Sequence, residues 1–215
     1  MTSAPKSPTA RSTYRHGDLR RALLHAGIEL ARSGGPDSVV LREATRRAGV
    51  APNAAYRHFA SRQTLLQAVR AAALSAVAAA MEAELATLPS HLSPADRARA
   101  SLRAVGTGYL RFAQLEPGLF RTAFAASDEL LASTADLPTA GPGGLNPFEL
   151  LGAALDQMVQ AGVLPPERRA GAELLAWSAV HGLAMLVMHG PLRHGVGPQM
   201  QQVGQRLLDM VEKGL

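Results

Sequence analysis

Apolar side chains recur at three- and four-residue steps through most of this chain, and no segment alternates apolar and polar positions for long. The first spacing lines one face of a helix and the second would mark a strand, so the pattern predicts an all-α fold of about nine helices. From about Asp18, Leu19, Leu23, Ala26 and Leu30 share a face; that helix should stop at Gly34-Gly35-Pro36, a glycine cap signal before a residue that cannot continue it. A second helix is expected over about 41–48, ending at Gly49, and a third starts at Pro52, whose missing amide is harmless in a first turn. Ser61 opens a long Ala-rich helix to about Ala86, and Ser93-Pro94-Ala95-Asp96 opens the next, with Leu102, Val105, Tyr109 and Phe112 on one face. Pro117-Gly118 breaks that helix, and a short apolar helix is expected over 119–125. Asn146-Pro147-Phe148-Glu149 starts another, ending near Gly162. After Pro165-Pro166 an apolar helix runs to about His189, and one last helix follows. Residues 1–16, 132–145 and 190–198, rich in Ser, Thr, Gly or Pro, read as a mobile arm and loops. There is no internal repeat.

Composition narrows the class. At 215 residues, 47% of them hydrophobic, the chain can bury a real core. It has no cysteine, which removes disulfides, thiolate nucleophiles and thiolate metal sites and fits a reducing cytoplasm. The first eighteen residues hold no apolar core of a secretory signal. The apolar stretch from Leu174 to Met188, interrupted by Ser178 and His181, falls short of the roughly 20 residues that span a bilayer. A soluble, cytoplasmic protein is expected, with no membrane partner. Charge is divided unevenly: residues 1–70 hold 12 Lys/Arg against 4 Asp/Glu, and residues 71–215 hold 10 against 13. That layout suits a molecule meeting a polyanion at one end, although a solvated basic face has the same charge.

Residues 39–66, VVLREATRRAGVAPNAAYRHFASRQTLL, place two short helices around the turn Ala48-Gly49-Val50. This is the layout of a helix-turn-helix, in which the second helix enters the major groove while the first braces across the backbone. Pro52, Asn53 and Ala54 begin the second helix, the end that approaches base edges. Asn53 can pair with an adenine edge or reach a phosphate, and Ala54 can touch a thymine methyl. On the bracing helix, Arg42 can reach base or backbone, and Thr45 belongs to the same candidate set. Arg62, at a helix amino terminus, suits a phosphate. Phe59 is expected in the core.

Ala48-Gly49-Val50, Tyr56-Arg57-His58-Phe59, Ser61-Arg62 and Leu65-Leu66 together resemble the amino-terminal domain of TetR-family transcriptional regulators, over about residues 18–66. The resemblance implies phosphate contacts by Tyr56 and by His58, a residue that as readily packs on its neighbours. It implies a basic arm at 1–16, a DNA-binding domain at 17–66 and a helical effector-binding and dimerisation domain at 67–215. The pattern departs from the family at Ala51, where a capping serine is common, at Val40, where threonine is frequent, and at Ala44-Thr45, in place of Ile-Ala. A missing cap is worth about 1 kcal/mol.

Further along, Tyr109 to Phe112, Glu116 to Phe120 and Trp177 to Leu183 resemble one carboxy-terminal subtype of the same family. Trp177, His181, Met185 and Met188 share a helical face. With Phe112, Phe120, Phe124 and Met158 they form either an apolar effector pocket, fixed by His181, or an ordinary core. Met200, Val203, Leu207 and Met210 make a partner-helix seam, and Ala172, Ala176 and Ala179 a small-residue face. In the family such helices meet a symmetry mate, so a homodimer is expected, as a two-fold operator also demands. No H-E-x-x-H, P-loop or G-x-S-x-G motif occurs, and the histidines are scattered; Gly141-Pro142-Gly143-Gly144 has no strand before it. No enzyme, cofactor or metal is expected. The function implied is a repressor released from a pseudopalindromic DNA operator by a small apolar effector. The alternative is an all-α small-molecule binding or sequestering protein that keeps the fold without reading DNA.

Overall fold

The computed structural model describes residues 16–125, 138–192 and 198–215. The expected arm at 1–16, apart from His16, lies outside them, as do residues 132–137 and 193–197 of the expected loops. The described residues form nine helices and no strand: α1 (His16–Gly34), α2 (Leu41–Ala48), α3 (Pro52–Tyr56), α4 (Arg62–Leu85), α5 (Pro94–Leu115), α6 (Pro117–Ala123), α7 (Pro147–Gln160), α8 (Ala172–Met188) and α9 (Pro198–Gly214). Short 3-10 turns at Pro36–Ser38 and Pro166–Arg168 precede α2 and α8.

Local chemistry sets the boundaries. Ser61 and Thr64 form a reciprocal capping box at the start of α4, and Asn146 with Glu149 does the same for α7. Ser93 Oγ accepts the Asp96 amide at the start of α5, with Pro94 in the first turn. Pro117 does more than break α5. It is the first residue of α6, which therefore starts earlier than the apolar run at 119–125.

Helices α1, α2, α3 and the start of α4 form a small head around Leu23, Val39, Ala44, Ala55, Phe59 and Leu65. In the remaining body α5 is central, packed against α4, α6, α7, α8 and α9. The expected division at 66/67 falls inside α4, so head and body share a continuous helix. By length and composition alone α4 could cross a membrane, but half of its most apolar stretch is buried inside this fold. That is the environment of a core helix.

Candidate nucleic-acid interface and effector cavity

The turn of the head is made by Gly49, at φ 66° and ψ 31° in the left-handed region, where a side chain would be strained. Its amide and that of Val50 return to the Arg46 and Thr45 carbonyls, closing α2. Helix α3 is five residues long, begins with Pro52 and has Ala51 as an extended N-cap without a side-chain bond. Ala44 and Ala55 are fully buried where α2 and α3 meet, and Phe59 closes the core with the Arg20 guanidinium 5.3 Å from its ring centre.

This packing turns Arg42, Pro52, Asn53 and Tyr56 to solvent, Tyr56 being 56% exposed, while Ala54 and His58 are half-buried. Two residues of the expected set are placed differently. Thr45 is buried, with its hydroxyl donating to the Arg42 carbonyl at 2.7 Å, so it faces the core of the head. Arg62 directs its guanidinium to backbone, with Nε donating to Val39 O at 2.8 Å and Nη2 to Pro36 O at 2.9 Å. Arg57, which the sequence reading did not select, is also exposed, beside Tyr56 in the Tyr-Arg-His run. Arg46 and Arg47 both bond Glu43, and those hydrogen bonds lower its carboxyl to a pKa of about 2. The carboxylate thus offsets part of the positive charge of α2.

In the body a cavity of about 510 Å³ opens between α4, α5, α7, α8 and α9. Its wall includes Leu74, Leu102, Val105, Phe148, Leu151 and Val180. Of the residues expected to line it, Phe124 and Trp177 do. Phe112, Phe120 and Met158 are buried in the packed core behind the wall, Met185 is exposed on the outer face of α8, and Met188 borders a second groove between α5, α8 and α9. His181 is not part of the wall; it bonds Tyr109, which is, and which the sequence did not single out as polar. Trp177 Nε1 donates to Tyr109 Oη at 3.0 Å, and Tyr109 Oη lies 2.8 Å from His181 Nδ1. Indole can only donate, so the phenol oxygen accepts from Trp177, and its hydrogen goes to His181 Nδ1 in the tautomer that carries the ring proton on Nε2. Burial lowers the His181 pKa and raises that of Tyr109, keeping both neutral. Phe120 and Phe124 pack at 4.8 Å, and Phe120 stacks on His181 at 5.8 Å.

Two wall arginines also went unnoticed. Arg70 is buried with Nε donating to the Ala123 carbonyl at 3.1 Å, and burial lowers its pKa. An arginine alone among alanines and leucines on a core-facing helix was the signal. Arg103 pairs with Asp209 and Glu212, tying α5 to α9 at one end of the cavity.

The expected dimer residues divide. Ala172 and Ala176 point into the protomer, Ala176 lining the cavity, and Ala179 is half-buried. The outer face of α8 instead exposes Leu175, Met185 and Leu186, with Leu175 66% exposed, while the exposed Leu174 also borders the cavity. On α9, Val203 and Met210 are exposed, Met200 and Leu207 are half-buried, and the inward face falls one residue later at Gly204, Leu208 and Val211.

Residues 23–69 match the family model described as bacterial regulatory proteins, tetR family. Residues 102–211 match the tetracyclin repressor-like, C-terminal domain. Among solved structures, a protein of unknown function from Rhodococcus sp. RHA1 is 27% identical, with 95% of this chain and 99% of that one covered, at a TM-score of 0.74. A regulatory protein in the tetR family from Rhodococcus RHA1 is 18% identical over 91% of this chain and 95% of that one, TM-score 0.58. The TetR family transcriptional regulator PfmR from Thermus thermophilus is 21% identical over 90% and 98%, TM-score 0.56. No curated protein matches the chain.

Proposed function

Because the chain belongs to the tetR family of bacterial regulatory proteins, which bind DNA to regulate transcription, we propose that it is a repressor released from a pseudopalindromic operator by a small apolar effector. Asn53, with Ala54 and Pro52, reads base edges from the start of α3. Tyr56, Arg57, His58 and Arg42 hold phosphates. Two heads reading one operator require a dimer, and the apolar outer faces of α8 and α9 are the surface available for it: Leu175, Met185 and Leu186 with Val203 and Met210.

The observation that carries the release mechanism is the route from cavity to head through α6. Its end, Ala123 with Phe124, forms part of the cavity wall. Its start lies on α1: Gly118 packs so closely that a methyl there would sit 2.3 Å from the Ala31 and Arg32 carbonyl oxygens. Glu116 accepts from Arg32 at 2.8 Å, and the Arg121 guanidinium lies against Gly35. A ligand that displaces Phe124 shifts α6 and, with it, α1 and the head. Heads whose recognition helices no longer match grooves about 34–36 Å apart lose the operator. The ligand acts only through its differential affinity for the two arrangements.

The test is binding of the full chain to duplexes selected from a randomised pool. A repressor enriches a two-fold site and binds it with strong salt dependence. Addition of apolar compounds that raise the melting temperature should release it. Failure to enrich any site while such compounds still bind would favour the sequestering protein instead.

A further inference from the structure

We propose that Arg62 is a positioning residue of the reading head, which clamps the start of α2 to α4 and so sets the angle at which α3 meets DNA. Neither helix of the reading pair is fixed by its own cap: Val40 before α2 and Ala51 before α3 make no side-chain cap bond. Helix α4, in contrast, starts from a reciprocal capping box at Ser61 and Thr64, with Leu65 fully buried one turn in. Its first residue reaches across to the connection between α1 and α2.

There the two Arg62 bonds grip the Pro36 and Val39 carbonyls, the two ends of the segment that leads into α2. The same segment is held from the other side by the Ser38 hydroxyl, within hydrogen-bonding distance of the Leu30 and Gly35 carbonyls. Val39, between them, is fully buried. A planar guanidinium can donate to two separated carbonyls at once, and an ammonium on a flexible stem cannot reproduce that geometry. With Nε and one Nη engaged on backbone, Arg62 acts on DNA through α2 and, across the Gly49 turn, through α3.

The substitutions Arg62→Lys and Arg62→Ala in the full chain separate this role from a phosphate contact. Binding is measured by fluorescence anisotropy on a duplex selected by the wild-type protein and on a scrambled duplex, over a salt series, below the melting temperature of each variant. A clamp predicts that both variants lose about tenfold on the selected duplex. Affinity for the scrambled duplex and the salt slope stay as in the wild type. The proposal is overturned if Arg62→Lys binds like the wild type while Arg62→Ala weakens both duplexes equally and lowers the slope by about one per head, which is the signature of a phosphate ligand. It is equally overturned if both variants keep their selected-duplex affinity, whether or not their melting temperatures fall, because Arg62 then serves stability alone.

Discussion

In the head, α2 and α3 are eight and five residues long, uncapped by side chains, and turn Arg42, Asn53 and Tyr56 outward. In the body, α4 and α5, helices of 24 and 22 residues, turn side chains inward on a cavity. The two regions are built from the same element for opposite ends. A surface that reads DNA needs few side chains, correctly aimed, and short helices fixed by their neighbours are enough to aim them. A ligand cavity needs long helices held apart by a well-packed shell. The shell should therefore be the sensitive part for stability, and the head the sensitive part for DNA.

The largest effect tests the shell. Phe120 is fully buried behind the cavity, against Tyr109, Phe124 and His181. Phe120→Ala should cost about 3–5 kcal/mol, and Trp177, the single tryptophan, reports the loss in a fluorescence-monitored melt. A shift below about 1 kcal/mol would show that the shell is not close-packed there.

Tyr56→Ala tests the head. It should weaken binding to a selected duplex by about tenfold or more while leaving the Trp177 melt in place, because the ring is exposed and supports no core. A large drop in melting temperature instead would place Tyr56 in the structure of the head and blur the contrast between the regions.

Restoring the absent cap is a smaller and opposite change. Ala51→Ser places a hydroxyl where the α3 amides lack a side-chain partner, and should stabilise the protein by about 0.5–2 kcal/mol. Urea unfolding measures it, and an unchanged midpoint would mean that α3 is held by its packing alone.

The smallest effect is at His181. Burial lowers its pKa below the unfolded value of about 6.5, so the unfolded chain binds the proton more readily. That contribution is complete above the unfolded pKa and is lost as pH falls below it. The melting-temperature difference between wild type and His181→Gln should therefore shrink from pH 7.5 to 5. A constant difference would show that His181 is as easily protonated folded as unfolded.

Much of the head was legible because its signals are local. Gly49 had to make the turn, Pro52 had to start a helix, and Ser61 had to cap one; each demand falls on a residue type at a fixed spacing. The placement of Thr45 and Arg62 was not legible for a related reason. Polar residues near a DNA-facing helix look like contacts, and only the packing shows Thr45 turned inward and Arg62 turned to the Pro36 and Val39 carbonyls. In the body the helical stripes were visible, but two neighbouring stripes on one helix can both be apolar. On α8 the inward stripe runs through Ala172, Ala176, Val180 and Ala184 and the outward one through Leu175 and Leu186, the reverse of what size suggests.

By itself the sequence determined the helical class, most helix boundaries and the reading motif, since periodicity, caps and turns act within a few residues of chain. The tertiary structure alone decided which side chains meet across long separations. It joined Tyr109 to Trp177 and His181, set Arg70 against Ala123, and laid α6 between cavity and head. The physical reason is that these contacts depend on how whole helices cross, and a helix carries in its local sequence the faces it can bury without the identity of what will cover them.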